Sequence, residues 1–188
     1  MAVCSIMSSD KFEATFPEIH HQVCEELGMG FVPDIFRCVA AANPDLAISS
    51  WNMVRKNLCA GKILRTTKEL MFSYIAHKKG CNYCDIAHHA LALHYGFTEE
   101  NISKILNDIN EVRNPVLRVV LKLADFSVDN RFDEVAILDE ELIELGFTRD
   151  EITELVGMVS CALYMVNIAD SLGIDADKEF KDVIENIK

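Results

Sequence analysis

The chain has 188 residues, half of them hydrophobic, enough to bury a sizeable core in one compact domain or two small helical halves. With 30 acidic against 18 basic side chains the net charge is -12, which repels phosphate backbones and anionic lipid surfaces, so neither nucleic acid nor a membrane is an expected partner. The opening residues carry no basic segment followed by an apolar run, so no secretory leader is expected and the expected location is cytoplasmic.

Only 8 Gly and 4 Pro, with apolar residues recurring at steps of three and four, predict an all-α chain with no strand. In chain order the pattern predicts helices over 18–27, 34–42, 45–59, 67–79, 81–95, 99–107, 115–127, 132–145, 149–172 and 177–187. Pro33, Pro44 and Pro115 suit helix starts, where a missing N–H costs nothing. Thr66-Thr67-Lys68-Glu69 and Thr148-Arg149-Asp150-Glu151 both match the capping box, in which two side chains satisfy each other's backbone N–H. Gly96 and Gly146 read as helix stops, and each is followed by Phe-Thr and then by Ile at the same spacing. This echo suggests two similar helix-turn-helix units packed together, or chance repetition of common stop-and-cap chemistry. The most apolar window, 156–166, is far shorter than the roughly 20 residues a membrane crossing needs and reads as a buried helix. Residues 1–188 are accordingly taken as a single all-helical domain, with a motif region at 66–95 and a second helical unit at 98–172.

Seven cysteines are an odd number, and without an export signal a structural disulfide framework is not expected. Cys24, Cys38, Cys59 and Cys161 lie in apolar helical patterns, where a thiol acts as a small hydrophobe. Cys81 and Cys84 differ. On a helix, positions 81, 84 and 88 share a face, so Cys84 and His88 are neighbours about 5 to 6 Å apart. An i, i+3 pair of cysteines also falls within the Cα separation of roughly 4.4 to 6.8 Å that a disulfide accepts. Such a bridge closes a tiny loop and adds little stability, so a redox role fits better than a structural one. Gly80 should end the preceding helix and leave the cysteines in a first turn, where the helix dipole lowers a thiol's pKa. The dipole favours Cys81 as the activated sulfur, and His88 as a base favours Cys84; Glu69 is the carboxylate that could tune the imidazole. Glu69 is also explained locally, as the third residue of a capping box. Asp85 reads as a first-turn acid, Tyr83 as core or pocket wall, His77 and His94 as surface or interface groups, and His89 as a bystander pointing away from the cysteines.

A zinc site is the competing reading of Cys-x-x-Cys with nearby histidines. His77, Cys81, Cys84 and His88 on one continuous helix would span about 16 Å, too far for four ligands of one ion. Haem attachment is excluded, because Asp85 follows the second cysteine where a histidine is required. No metal or cofactor is therefore expected.

Glu69, eleven residues, Cys81-x-x-Cys84, three residues and His88 together resemble the alkylhydroperoxidase AhpD core of the carboxymuconolactone decarboxylase family. Pro33 near the first helices, Gly96-Phe97-Thr98 after the motif, and Asn167 and Asp170 are similar to the peroxidase-related branch. The resemblance implies an AhpD-like helical bundle that forms a homo-oligomer, a trimer or hexamer, and reduces organic hydroperoxides. It implies that Cys84 attacks the peroxide, Cys81 resolves it, and His88 and Glu69 relay the proton. A small hydroperoxide and a thiol reductant or adaptor protein are then the partners. AhpD proper has a histidine before the second cysteine where this chain has Tyr83, so the AhpD substrate and its lipoyl adaptor are not carried over. The wider family's decarboxylases lack the cysteine pair, which counts against lactone decarboxylation. A non-enzymatic thiol switch and a metal-stabilised interaction module are the alternatives.

Overall fold

The computed structural model describes residues 5–187, so Cys4 lies outside the described residues. Among these the secondary structure is helical, with no strand. Two short helices, α1 (Ser9–Thr15) and α2 (Pro17–Leu27), begin the chain. The first was not expected from periodicity; Ser8 caps it by accepting from the Lys11 N–H at 3.3 Å, and its one buried residue, Phe12, anchors it. Then come α3 (Asp34–Ala42) and α4 (Pro44–Val54), the latter capped by Asn43. The segment expected as one helix over 45–59 splits, because the last turn, Arg55–Cys59, widens into a π-helix.

The centre of the molecule is the hairpin of α5 (Arg65–Lys79) and α6 (Asn82–His94), the most extensively packed pair of helices. Gly80 makes the corner at φ 71°, a left-handed conformation that side chains with a Cβ rarely adopt, and Cys81 N–H closes it on the Ala76 carbonyl at 3.0 Å. Every residue of α5 from Lys68 to Ala76 is buried, because α6, α8 (Pro115–Val128) and α10 (Arg149–Leu172) all pack on it. The last helix, α11 (Lys178–Ile187), lies on α6.

Between these run α7 (Glu99–Asn107) and α9 (Phe132–Glu144), and here the sequence echo has a structural basis. Phe97 N–H bonds to the Ala92 carbonyl and Phe147 N–H to the Leu142 carbonyl, each at 3.0 Å. Gly96 and Gly146 take φ of 98° and 94°, and Thr98 and Thr148 then cap the next helix. The same stop-and-cap device thus joins α6 to α7 and α9 to α10. Only Thr148 forms the full capping box. The capping box expected at Thr66 does not form: α5 starts two residues earlier, with Leu64 at the cap position, and Glu69 turns inward. By length and composition α10 could cross a membrane, being far longer than the apolar window alone; half of that stretch is buried in this fold.

Candidate active site

Glu69 on α5 faces His88 on α6 along the α5–α6 hairpin, and Cys81 and Cys84 lie at its closed end, just past the Gly80 corner. Cys81 is the N-cap of α6 and Cys84 lies in its first turn, so the helix expected from residue 81 begins one residue later. Cys81 has no exposed surface and Cys84 is 2 % exposed, and the two are not joined by a disulfide. Cys84, His88, Phe72 and Tyr83 line a cavity of about 40 Å³ whose remaining wall is almost wholly apolar; Cys81 does not face it.

His88 Nδ1 lies 2.7 Å from Glu69 Oε2, and Glu69 is completely buried. Phe72 stacks flat on the imidazole, with centroids 3.5 Å apart and planes at 14°. These contacts fix the ring and leave Nε2 as the nitrogen free to exchange a proton. Glu69 Oε1 accepts from Arg65 Nε at 2.6 Å. Burial pushes the Glu69 carboxyl up, but His88 and Arg65 outweigh it, and the net direction is down. The carboxylate is therefore the charged form.

The expectation that the dipole and His88 lower the thiol's pKa is overturned at Cys84. Its thiol is pushed well above the usual cysteine range, first by its hydrogen bond with Cys81, then by burial, then by the negative charges of Cys81, Asp170 and Asp85. Two thiolates one turn apart repel, and the apolar cavity offers Cys84 little solvation. Cys84 at rest is a thiol, so it needs a base at the moment of reaction.

Tyr83 is a pocket wall, and its hydroxyl is already committed. It donates to Asp177 Oδ2 at 2.8 Å and accepts from the Ile35 N–H at 3.2 Å, while Asp177 Oδ1 accepts from the Asp34 N–H at 2.8 Å. One phenol thus ties α3 and the approach to α11 to the cysteine turn, and α11 contributes Phe180 to the cavity wall. The other histidines stand apart. His89 pairs with Glu99 at 2.7 Å and His77 with Asp85 at 3.1 Å, both at the surface, and His94 meets Tyr95 edge-on.

Sequence reasoning missed Arg65 and the Tyr83–Asp177 tie. The Arg65 signal was present, four residues before Glu69 on one helix face. Nothing local links positions 83 and 177. Of the remaining cysteines, Cys59 and Cys161 are pushed up to about 11 and about 12, chiefly by burial, as fits core thiols.

No protein-family model matches this sequence, and no curated protein does. Solved structures do match in fold. An alkylhydroperoxidase AhpD core structure, an uncharacterized peroxidase-related protein from Ralstonia eutropha JMP134, is 18 % identical over 96 % of each chain, with a TM-score of 0.78. A peroxidase-related protein from Silicibacter sp. TM1040 is 16 % identical over 95 % of this chain and 93 % of its own, with a TM-score of 0.80. A cysteine-to-alanine variant of the debrominase Bmp8, in complex with 2,3,4-tribromopyrrole, is 13 % identical over 100 % of this chain and 98 % of its own, with a TM-score of 0.77. The chain therefore has the all-helical AhpD-like fold that the motif's resemblance implied.

Proposed function

We propose that the protein is a thiol-dependent peroxidase that reduces small organic hydroperoxides through Cys84 and Cys81, with His88 and Glu69 as the proton relay. The observation that carries this reading is that Cys84 and His88 open on one small apolar cavity, with Glu69 fixing the imidazole from behind at 2.7 Å. In the first step Cys84 Sγ attacks one peroxide oxygen as His88 removes the thiol proton. The O–O bond breaks, and the departing alkoxide takes that proton from His88 as an alcohol. Cys84 is left as a sulfenic acid. Cys81 then attacks the Cys84 sulfur, a disulfide forms and water leaves. An external dithiol reduces the bridge and is itself oxidised.

A second reading shares the chemistry. The Bmp8 complex suggests reductive debromination, in which the same thiol pair would give up two electrons and the aromatic carbon would exchange bromide for a proton. Cavity size favours the peroxide: a cavity that takes up benzene measures about 150 Å³, and this one is about 40 Å³. A peroxide group fits that space, and the wall has to move further for a tribrominated ring than for the alkyl tail of a small hydroperoxide.

The test is turnover of tert-butyl hydroperoxide with dithiothreitol as reductant, compared with bromide release from 2,3,4-tribromopyrrole. Peroxide turnover abolished by Cys84→Ser supports the proposal. Equal turnover in that variant removes it, and bromide release without peroxide reduction selects the second reading. We further propose a homo-oligomer, a trimer or hexamer, in the reducing cytosol. The exposed apolar side chains Leu64, Phe132 and Ile137 support an assembly, and sedimentation of the purified protein tests it.

A further inference from the structure

We propose that Arg65 is the positioning residue that makes His88 a usable base: its guanidinium neutralises Glu69, so the imidazole is not held as a cation by an unshared carboxylate. This rests on the peroxidase reading for its purpose, though not for its geometry.

Glu69 has no exposed surface, and a wholly buried carboxylate must be neutralised by something. Two groups reach it, one on each oxygen: Arg65 Nε at 2.6 Å and His88 Nδ1 at 2.7 Å. If His88 supplied the positive charge, it would already carry the proton it is meant to accept. Arg65 removes that conflict, because a guanidinium keeps its charge throughout the accessible pH range. With the charge balanced by Arg65, the His88 N–H can serve as a neutral donor to Glu69.

The surroundings make this balance necessary. The charged and titratable groups around the pair are Glu69 and Arg65 on α5, Cys81, Cys84 and Asp85 on α6, Cys59 on the π-turn, Glu26 on α2, Asp170 on α10 and Tyr95 after α6. Beside Glu26 stands a second cation, Arg55, which is committed to the Glu26 side chain at 2.9 Å; apart from the two arginines, these groups are acids or weak acids. Asp85 and Asp170 both act on Cys84 in the direction that holds its proton on. Cys84 begins as a thiol, so a base that arrives already protonated cannot start the reaction.

Arg65 is itself held in place. Its Nη1 donates to the Glu26 carbonyl at 3.2 Å, and its guanidinium carbon sits 5.1 Å from the centre of the Tyr95 ring. It follows the loop closed by Glu154, which accepts from the Lys62 and Ile63 N–H groups at 2.8 and 3.0 Å and pairs with the buried Lys68 at 2.5 Å. The start of α5, and with it the guanidinium, is thereby fixed to α10.

The test follows alkylation of Cys84 by iodoacetamide, read by mass spectrometry between about pH 5 and about pH 10, in wild type, Arg65→Lys and Arg65→Met. The rising limb of the rate should move up by about one pH unit in Arg65→Met, with Arg65→Lys recovering most of the shift. A folded Arg65→Met protein with an unmoved limb overturns the proposal. If Arg65→Met does not fold, imidazole ¹⁵N spectra of the wild type decide. A neutral ring protonated on Nδ1 at about pH 7 supports the proposal, and a doubly protonated ring there overturns it. Neither measurement uses a peroxide, so absence of turnover would defeat the functional reading while leaving this one standing.

Discussion

Glu69 and His88 are joined at 2.7 Å across the α5–α6 interface, with the carboxylate wholly out of solvent and Arg65 on its other oxygen. Replacing Glu69 by Gln keeps the shape and removes the charge. The buried guanidinium of Arg65 then faces an amide, and stability should fall by about 3 kcal/mol, typical of breaking a buried charged pair. Peroxide turnover should fall by about 100-fold or more, the usual contribution of a positioned base and its partner. Urea unfolding and a steady-state assay measure the two effects. Full activity in a folded Glu69→Gln protein would show that the carboxylate serves packing alone.

Phe72 holds the other side of the same imidazole. The 3.5 Å stack at 14° leaves His88 little freedom to turn about its side-chain bonds. Phe72→Ala should cost about 3 to 5 kcal/mol, since it opens a void beneath a fully buried ring position. Phe72→Leu is the informative variant. It should cost less than that and still lose turnover, because an aliphatic side chain fills space without presenting a flat face. Turnover at the wild-type level in Phe72→Leu would mean that Glu69 alone orients the ring.

The two proposed capping boxes provide a paired measurement. Thr148 accepts from the Glu151 N–H while the Glu151 carboxylate accepts from the Thr148 N–H, closing the start of α10. Thr66 does not cap α5, which starts after Leu64. Thr148→Ala should therefore lower stability by about 1 kcal/mol, and Thr66→Ala should change it by less than about 0.5 kcal/mol. Thermal melts of both variants decide, and a larger loss at Thr66 would move the start of α5.

That contrast shows what could be read from sequence. The signature Thr-x-x-Glu is identical at the two sites, and local chemistry predicts the same cap at both. At Thr148 the glutamate is only partly buried and free to reach back; at Thr66 burial draws Glu69 toward Arg65 and His88 instead. The placement of the ten expected helices, one of them split, and the facing of Cys84 and His88 followed from the three- and four-residue steps. The π-turn at Arg55–Cys59 did not, because the same apolar spacing is compatible with a continued α-helix. The raised thiol of Cys84 was legible only in part: its first cause, the hydrogen bond with Cys81, is local, but the burial that comes next and the charge of Asp170 on α10 depend on distant sequence. Helix-dipole reasoning sees a cysteine's own first turn and nothing packed against it.

The link between Tyr83 and Asp177 gives a pH-dependent prediction whose sign follows from burial. Asp177 is pushed up to about 6, first by burial and then by the charge of Asp34, with the Asp34 N–H and Tyr83 O–H donors opposing. An acid whose pKa is higher folded than unfolded binds more protons in the native state, so stability falls as pH rises. The window runs from the ordinary carboxyl value of 3.8 up to about 6, and the loss across it is at most about 3 kcal/mol. Asp177→Asn should flatten that part of the curve when melting temperature is recorded from about pH 4 to about pH 7, other carboxylates contributing equally to both proteins. Tyr83→Phe should steepen it instead, because the phenol donates to the ionised carboxylate and favours the charged form. Parallel curves for wild type and Asp177→Asn would mean that Asp177 is ionised throughout and that its hydrogen bonds from Asp34 and Tyr83 offset its burial completely.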